Sequence, residues 1–205
     1  VIIAVDGPAA SGKGTLARKL AQYLGLAHLD TGAIYRSIAL TVLKSQGDPH
    51  SEADAIKAAR AYRAQMYPDA ALRSEEVSRA ASVVAAHAKV RTEVIGVQRA
   101  VANTPPGAVL DGRDIGTIVC PEADIKFFVT ASAEERARRR SLELEGRGEK
   151  ADFNSILEEI LRRDERDRTR PVAPLKPAPD AHLLDTTSLD IEATFQAARR
   201  IVDGH

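Results

Sequence analysis

A single cysteine, no excess charge of either sign and no hydrophobic run long enough to cross a membrane limit what this 205-residue chain can be. Cys120 has no intrachain disulfide partner and reads as a small buried apolar residue in a reducing compartment. The 29 basic and 29 acidic residues cancel, so no bulk attraction to a nucleic acid polymer or to an anionic membrane surface is expected. Charge must act locally. With neither an apolar span nor a basic and apolar leader at Val1, the chain reads as cytoplasmic. Repeats and low-complexity linkers are also missing. A chain of this length fits one domain carrying a small insertion or two, and it buries a full core without disulfides or metal.

What is present begins at the first residue. Val1 to Val5 is an apolar run suited to a strand buried on both faces. It breaks at Asp6 into the loop Gly7-Pro8-Ala9-Ala10-Ser11-Gly12-Lys13-Gly14-Thr15, after which Leu16, Leu20 and Leu24 repeat at helical spacing. Loop amides and the positive end of the helix converge on one anion, and Lys13 adds a full charge beside them. That arrangement suits a nucleotide phosphate. Relative to G-x-x-x-x-G-K-[ST], Gly14 takes the hydroxyl position and Thr15 follows it; such G-K-G-T loops resemble those of nucleoside monophosphate kinases.

Further along, Ala27 to Asp30 reads as a short second strand, in which His28 is an edge residue and not a ligand. Asp30 or Thr31 caps a helix with Ile34, Ile38 and Val42 on its apolar face, and Arg36 sits one turn in. From Ser51 to Pro68 the pattern is Ala-rich and weakly helical. Glu75 opens a stronger helix through Val77, Ala81 and Val84, and Val90, Val94, Val97 and Val101 continue a further one. Ser82 and Arg91 would lie on opposite sides of one straight helix, so a shared site requires a bend near residues 86–88. Ala108 to Asp111 reads as the next buried strand, Ile125 to Val129 and His182 to Asp185 as a fourth and a fifth strand, and a last helix from about Asp190 to Val202 turns Ile191, Phe195, Ala198 and Ile201 inward. In an open parallel sheet the carboxyl ends of the strands face the ligand, so Asp6, Asp30, Asp111 and Arg113 should share one edge. Asp111 falls where P-loop proteins place the acid that holds hydrated magnesium.

Residues 134–171 hold ten arginines. Glu134 to Arg140 is one helix with its acids at the amino end, and Gly146 and Gly148 form a joint able to hinge. In the next helix Ile156, Ile160, Arg163, Asp167 and Arg170 are spaced by four, three, four and three, a face that passes from apolar to charged. Such a face reaches from a packed body over the mouth of a cleft. Its guanidinium forks suit phosphate oxygens, which points to a lid.

The loop together with Leu29-Asp30-Thr31-Gly32-Ala33-Ile34-Tyr35-Arg36, Leu110-Asp111-Gly112-Arg113-Asp114-Ile115-Gly116 and the run from Arg163 to Pro174 resembles the bacterial cytidylate kinases over nearly the whole chain. The resemblance implies a P-loop α/β fold of three layers, with a five-stranded parallel sheet, an acceptor-binding insertion and a short arginine-rich lid; here the insertion departs from family members that carry a small antiparallel sheet in it and reads as mainly helical, since no alternating strand pair lies between Tyr62 and Leu72. Core segments would span about 1–36, 104–140 and 172–205, the insertion about 37–103 and the lid about 141–171. ATP would lie on Gly7 to Thr15, with Lys13, Arg113, Arg139 and Arg140 acting on the transferred phosphoryl group and Thr15 and Asp111 holding Mg2+ directly or through water. CMP or dCMP would be held by Asp30, Thr31, Arg36, Ser82, Arg91, Arg113, Asp114, Arg163, Asp167 and Arg170. Within that set, Arg36 and Arg113 would grip the phosphate, Ser82, Arg91 and Asp114 would read cytosine, and Arg163 and Asp167 would hold the sugar. The assignment of Arg136 with its neighbours Arg139 and Arg140 to donor adenine and phosphates stays open in register. The implied enzyme is a monomer.

Two alternatives accompany that reading: a P-loop kinase of another small acceptor, and an ATP-hydrolysing switch. An Asn-Lys-x-Asp guanine-reading segment is missing, and a switch would have no use for the arginine-rich acceptor side.

Overall fold

The computed structural model describes residues 1–205. Five parallel strands, β1 (Ile2–Asp6), β2 (Ala27–Asp30), β3 (Ala108–Gly112), β4 (Ile125–Thr130) and β5 (His182–Asp185), lie in the order β2-β3-β1-β4-β5. Register places Asp6 beside Gly112 and Asp30 beside Asp111, so these carboxyl ends open on one edge. The period of two in β1 divides the core: Ile3 and Val5 pack with Leu16, Leu20 and Ala198, while Ala4 packs with Leu110, Ile115 and Cys120. The first set belongs under α1 (Lys13–Leu24) and α8 (Ile191–Asp203), and the second lies beneath a short π-helical turn at Ile115–Val119. These are the two faces of a three-layer α/β/α sheet.

The segment after α2 (Thr31–Lys44) is helical, with α3 (Glu52–Ala61), a 3-10 turn at Asp69–Leu72, α4 (Glu75–Val84) and α5 (Ala88–Ala102). The weak helical reading of 51–68 holds only as far as Ala61. There Ala55, Ala58 and Ala59 pack into a separate cluster with Ile34, Ile38 and Val84, whereas Gln65 at φ 58° and Pro68 do not continue a helix. Ser51, Ser74 and Asp30 cap their helices by accepting backbone N–H bonds. The break between Val84 and Ala88 supplies the bend that Ser82 and Arg91 require.

The arginine-rich stretch forms α6 (Ala133–Gly146) and α7 (Phe153–Thr169), joined by a turn with Gly148 at φ 76°. The sequence places Ile191 in the core, but it is 58% exposed at the first turn of α8. Its side chain borders the open groove above the loop, and the helix buries Thr194 and Ala198 instead. No helix is long and apolar enough to cross a membrane.

Ile38 is fully buried in the cluster that packs α2 against α3, α4 and α5. Ile38→Ala should lower unfolding free energy by about 2–5 kcal/mol, read by urea denaturation, because the surrounding helices cannot close the cavity. A loss under ~1 kcal/mol would mean that this cluster does not hold these helices together.

Candidate active site

The phosphate loop leaves β1 at Gly7, whose missing side chain matters because a Cβ there would run into the Val129 carbonyl. Gly12 takes φ 88° as the N-cap of α1 and offers no side-chain cap, so the amino end of that helix stays open to an anion. The Lys13 ammonium donates to the Pro8 carbonyl at 3.3 Å. Loss of surrounding water, with Arg113 nearby, pushes Lys13 down to about 7. Ser11 Oγ is buried without a partner. Asp6 accepts from the backbone N–H groups of Ile115 and Gly116 at 2.8 and 2.7 Å, which ties the loop's first residue to the turn that follows Arg113 and Asp114. Burial pushes Asp6 up to about 7 although both N–H groups favour its carboxylate.

All ten residues assigned to the acceptor line one cavity of about 300 Å³, along with Lys13, Asp111 and Arg140. Carboxylates hold its cations in place. Asp30 accepts from the Ala33 N–H at 3.1 Å and from Arg36 Nη2 at 2.6 Å; burial opposes its charge, but Arg36 outweighs burial and lowers its pKa. Arg91 Nη2 donates to Asp114, Nη1 donates to the Ala85 carbonyl at 3.0 Å, and the guanidinium lies 5.3 Å from the centre of the Tyr35 ring. Asp167 accepts from Arg113 Nε at 3.0 Å and from Ser82 Oγ at 3.4 Å. Burial works against ionised Asp167, yet Arg113, Arg163 and Arg170 together keep its pKa low. Thr31 donates to the Asp111 carbonyl at 2.7 Å, pinning α2 to β3.

Arg163 and Arg170 differ from their neighbours. Arg163 Nε and Arg170 Nη2 are buried with no hydrogen-bond partner. Burial, with Arg113 close by, pushes Arg163 down to about 10. Unpartnered buried donors are costly, and both of these belong to residues that line the one cavity, which favours an anionic ligand there. The face predicted on α7, from Ile156 through Ile160, Arg163 and Asp167 to Arg170, does border that cavity.

A wider groove of about 1330 Å³ continues over the loop from Ala10 to Thr15. Arg139 and Arg140 reach it, whereas Gly7 and Pro8 line neither space. Arg139 donates to the carbonyls of Ser11 at 3.3 Å and Thr186 at 2.6 Å. Arg140 pairs with Glu75 on α4 and with Glu143 at 2.8 Å, tying α6 to α4. Arg136 lines neither space.

Sequence reasoning overlooked several partners. His28 Nε2 lies 2.8 Å from Asp111 Oδ2, so the edge histidine holds the acid read as a metal ligand. Glu75, Thr186, Asp164 and Tyr35 likewise act through residues distant in sequence, and no local spacing reveals such pairs. For Mg2+, the donor set fits: Thr15 and Asp111 offer hard oxygen, and Gly14 next to Thr15 lies against the Asp111 carboxylate, which brings the two donors to one place.

A parallel sheet whose carboxyl edge joins a phosphate loop to an arginine cavity defines a P-loop phosphotransferase of small molecules. The family model described as cytidylate kinase matches residues 3–203, so the chain belongs to the cytidylate kinase family. A cytidylate kinase from Methylocella silvestris is 57% identical over 99% of this chain and 94% of its own length. One from Bradyrhizobium diazoefficiens is 52% identical over 99% and 96%. Among solved structures, an uncharacterized protein from Eubacterium ventriosum aligns over 100% of this chain and 99% of its own at TM-score 0.60 and 14% identity. A sugar kinase from a Janibacter species covers 98% and 94% at TM-score 0.51 and 16% identity, and both share the fold.

Because Lys13 sits near 7 in the free protein and a bound phosphate favours its charged form, nucleotide binding at pH 8 should take up a proton. Calorimetry of ATP-analogue binding in buffers of different ionisation enthalpy reads that uptake. It should fade at pH 6, where Lys13 is already charged, and disappear in Lys13→Met; equal uptake at both pH values would contradict the assignment.

Proposed function

We propose that the cavity takes CMP or dCMP and the groove takes ATP, and that the enzyme transfers the γ-phosphoryl group directly between them, giving CDP or dCDP and ADP. The observation carrying this reading is the unpartnered Arg163 and Arg170 donors beside the phosphate loop. Arg36 and Arg113 place the acceptor phosphate, with Asp30 and Asp167 holding the two guanidinium groups in position until it arrives. The acceptor is already anionic, so no general base is needed. Lys13, the loop amides and Arg139 and Arg140 oppose the charge on the transferring group, most of the work being positioning and electrostatics. Bound Mg2+ would neutralise charge on the donor phosphates, held by Thr15 and Asp111 with His28 orienting the carboxylate.

Ser82, Arg91 and Asp114 read cytosine. Arg91 orients the Asp114 carboxylate, which accepts from the exocyclic amine that uracil lacks. Arg163 and Asp167 hold the sugar, and Arg170 completes the closed site. Residues 37–103 act as the acceptor-binding insertion and about 141–171 as the lid, whose closure keeps water from competing with the acceptor. The enzyme works as a cytoplasmic monomer on small molecules, without a nucleic acid polymer or membrane.

Arg113→Ala should lower kcat/KM for CMP by about 100-fold or more, well beyond the loss of folded protein that follows from leaving the buried Asp167 without its Nε partner; equal loss of activity and folded protein would contradict its role. Asp114→Asn should reduce the ratio of CMP to UMP turnover, measured by coupled ADP release, and an unchanged ratio would remove Asp114 from cytosine recognition.

A further inference from the structure

Arg136 lies on α6 with only 4% of its surface exposed. Its Nε donates to the Ala131 carbonyl at 3.0 Å, and Nη1 donates to the Ala9 carbonyl of the phosphate loop at 3.3 Å. Nη1 and Nη2 also donate to the two Asp164 oxygens at 2.9 and 2.6 Å. A guanidinium so occupied is not free to bind substrate phosphate. Asp164 is 7% exposed on α7, directly after Arg163 and one turn before Asp167. One planar group therefore touches the donor loop on one side and the helix that carries the acceptor contacts on the other.

Two features make this more than a brace between α6 and α7. A brace would not need the Ala9 carbonyl, and the loop residue next to it, Ala10, stands at φ 58°, a left-handed conformation that L residues adopt only when held there. The paired fork fixes the plane of the guanidinium relative to both oxygens of Asp164, and a buried carboxylate must keep its partner. A shift of the loop at Ala9 thus moves the guanidinium, and α7 has to follow.

We propose that Arg136 and Asp164 are positioning residues that couple the two subsites. Seating donor phosphates on the loop sets α7, which sets Arg163, Asp167 and Arg170 around the acceptor; by linkage the acceptor favours donor binding by the same factor. This rests on the assignment of the cavity to CMP and the groove to ATP.

Isothermal titration of CMP, with and without a saturating non-hydrolysable ATP analogue and magnesium, tests it. Wild type should bind CMP about fivefold or more tightly with the analogue present, and the analogue should gain equally from CMP. R136Q combined with D164N replaces the ion pair with a neutral hydrogen-bonded amide pair. Each ligand alone should bind it nearly as wild type does, with the coupling factor falling towards one. R136K keeps the charge but loses the fork, and it should also lose most of the coupling; it decides the matter if circular dichroism shows the double variant unfolded. A purely structural pair would lower stability and leave the factor intact, and that result overturns the proposal, as does a wild-type factor of one. Failure of CMP to bind wild type at all would overturn the acceptor assignment first, and the coupling with it.

Discussion

Eight cationic side chains and seven carboxylates line a cavity of about 300 Å³, and the rest of the site depends on how these charges are paired before substrate arrives. Without the carboxylates the guanidinium groups would repel one another in a partly enclosed space where screening is weaker than in bulk water. Asp30, Asp114 and Asp167 each hold one arginine, so Arg36, Arg91 and Arg113 are aimed at the cavity with little freedom left to lose on binding. Arg163 and Arg170 keep donors free in the same space. The cavity is therefore pre-organised as a near-neutral polar cage whose spare hydrogen-bonding capacity suits an anion.

The sheet is what brings these groups together. Parallel strands in register deliver Asp6, Asp30 and Asp111 to one edge, and each then serves a neighbouring segment: Asp6 the turn after Asp114, Asp30 the start of α2, Asp111 the imidazole of His28. The break between α4 and α5 contributes as well, since the interruption after Val84 lets Ser82 and Arg91 line one cavity. The helix α7 contributes its apolar end through the buried Ile160 and lines the same cavity with Arg163 and Asp167 at its charged end.

Much of this was legible in the sequence because the signals are local. An apolar run before a glycine-bracketed lysine, and an apolar-to-charged face at spacings of three and four, each follow from backbone geometry within a few residues. The burial of Ile191 was misread for a related reason: periodicity shows which face a residue takes, but not that the first turn of α8 extends past the core to border a groove. The roles of Arg136 and His28 depend on partners 28 and 83 residues away, and only the folded arrangement shows that these side chains support the site from behind.

The central claim is that the cage accepts a cytidine monophosphate as phosphoryl acceptor. The most direct test measures ADP formation from ATP and magnesium with each nucleoside monophosphate in turn, beside a control without acceptor. The account predicts rapid ADP formation with CMP and dCMP and almost none without acceptor. Hydrolysis that proceeds equally well with no acceptor would contradict it, because the paired arginines would then have no anion to place.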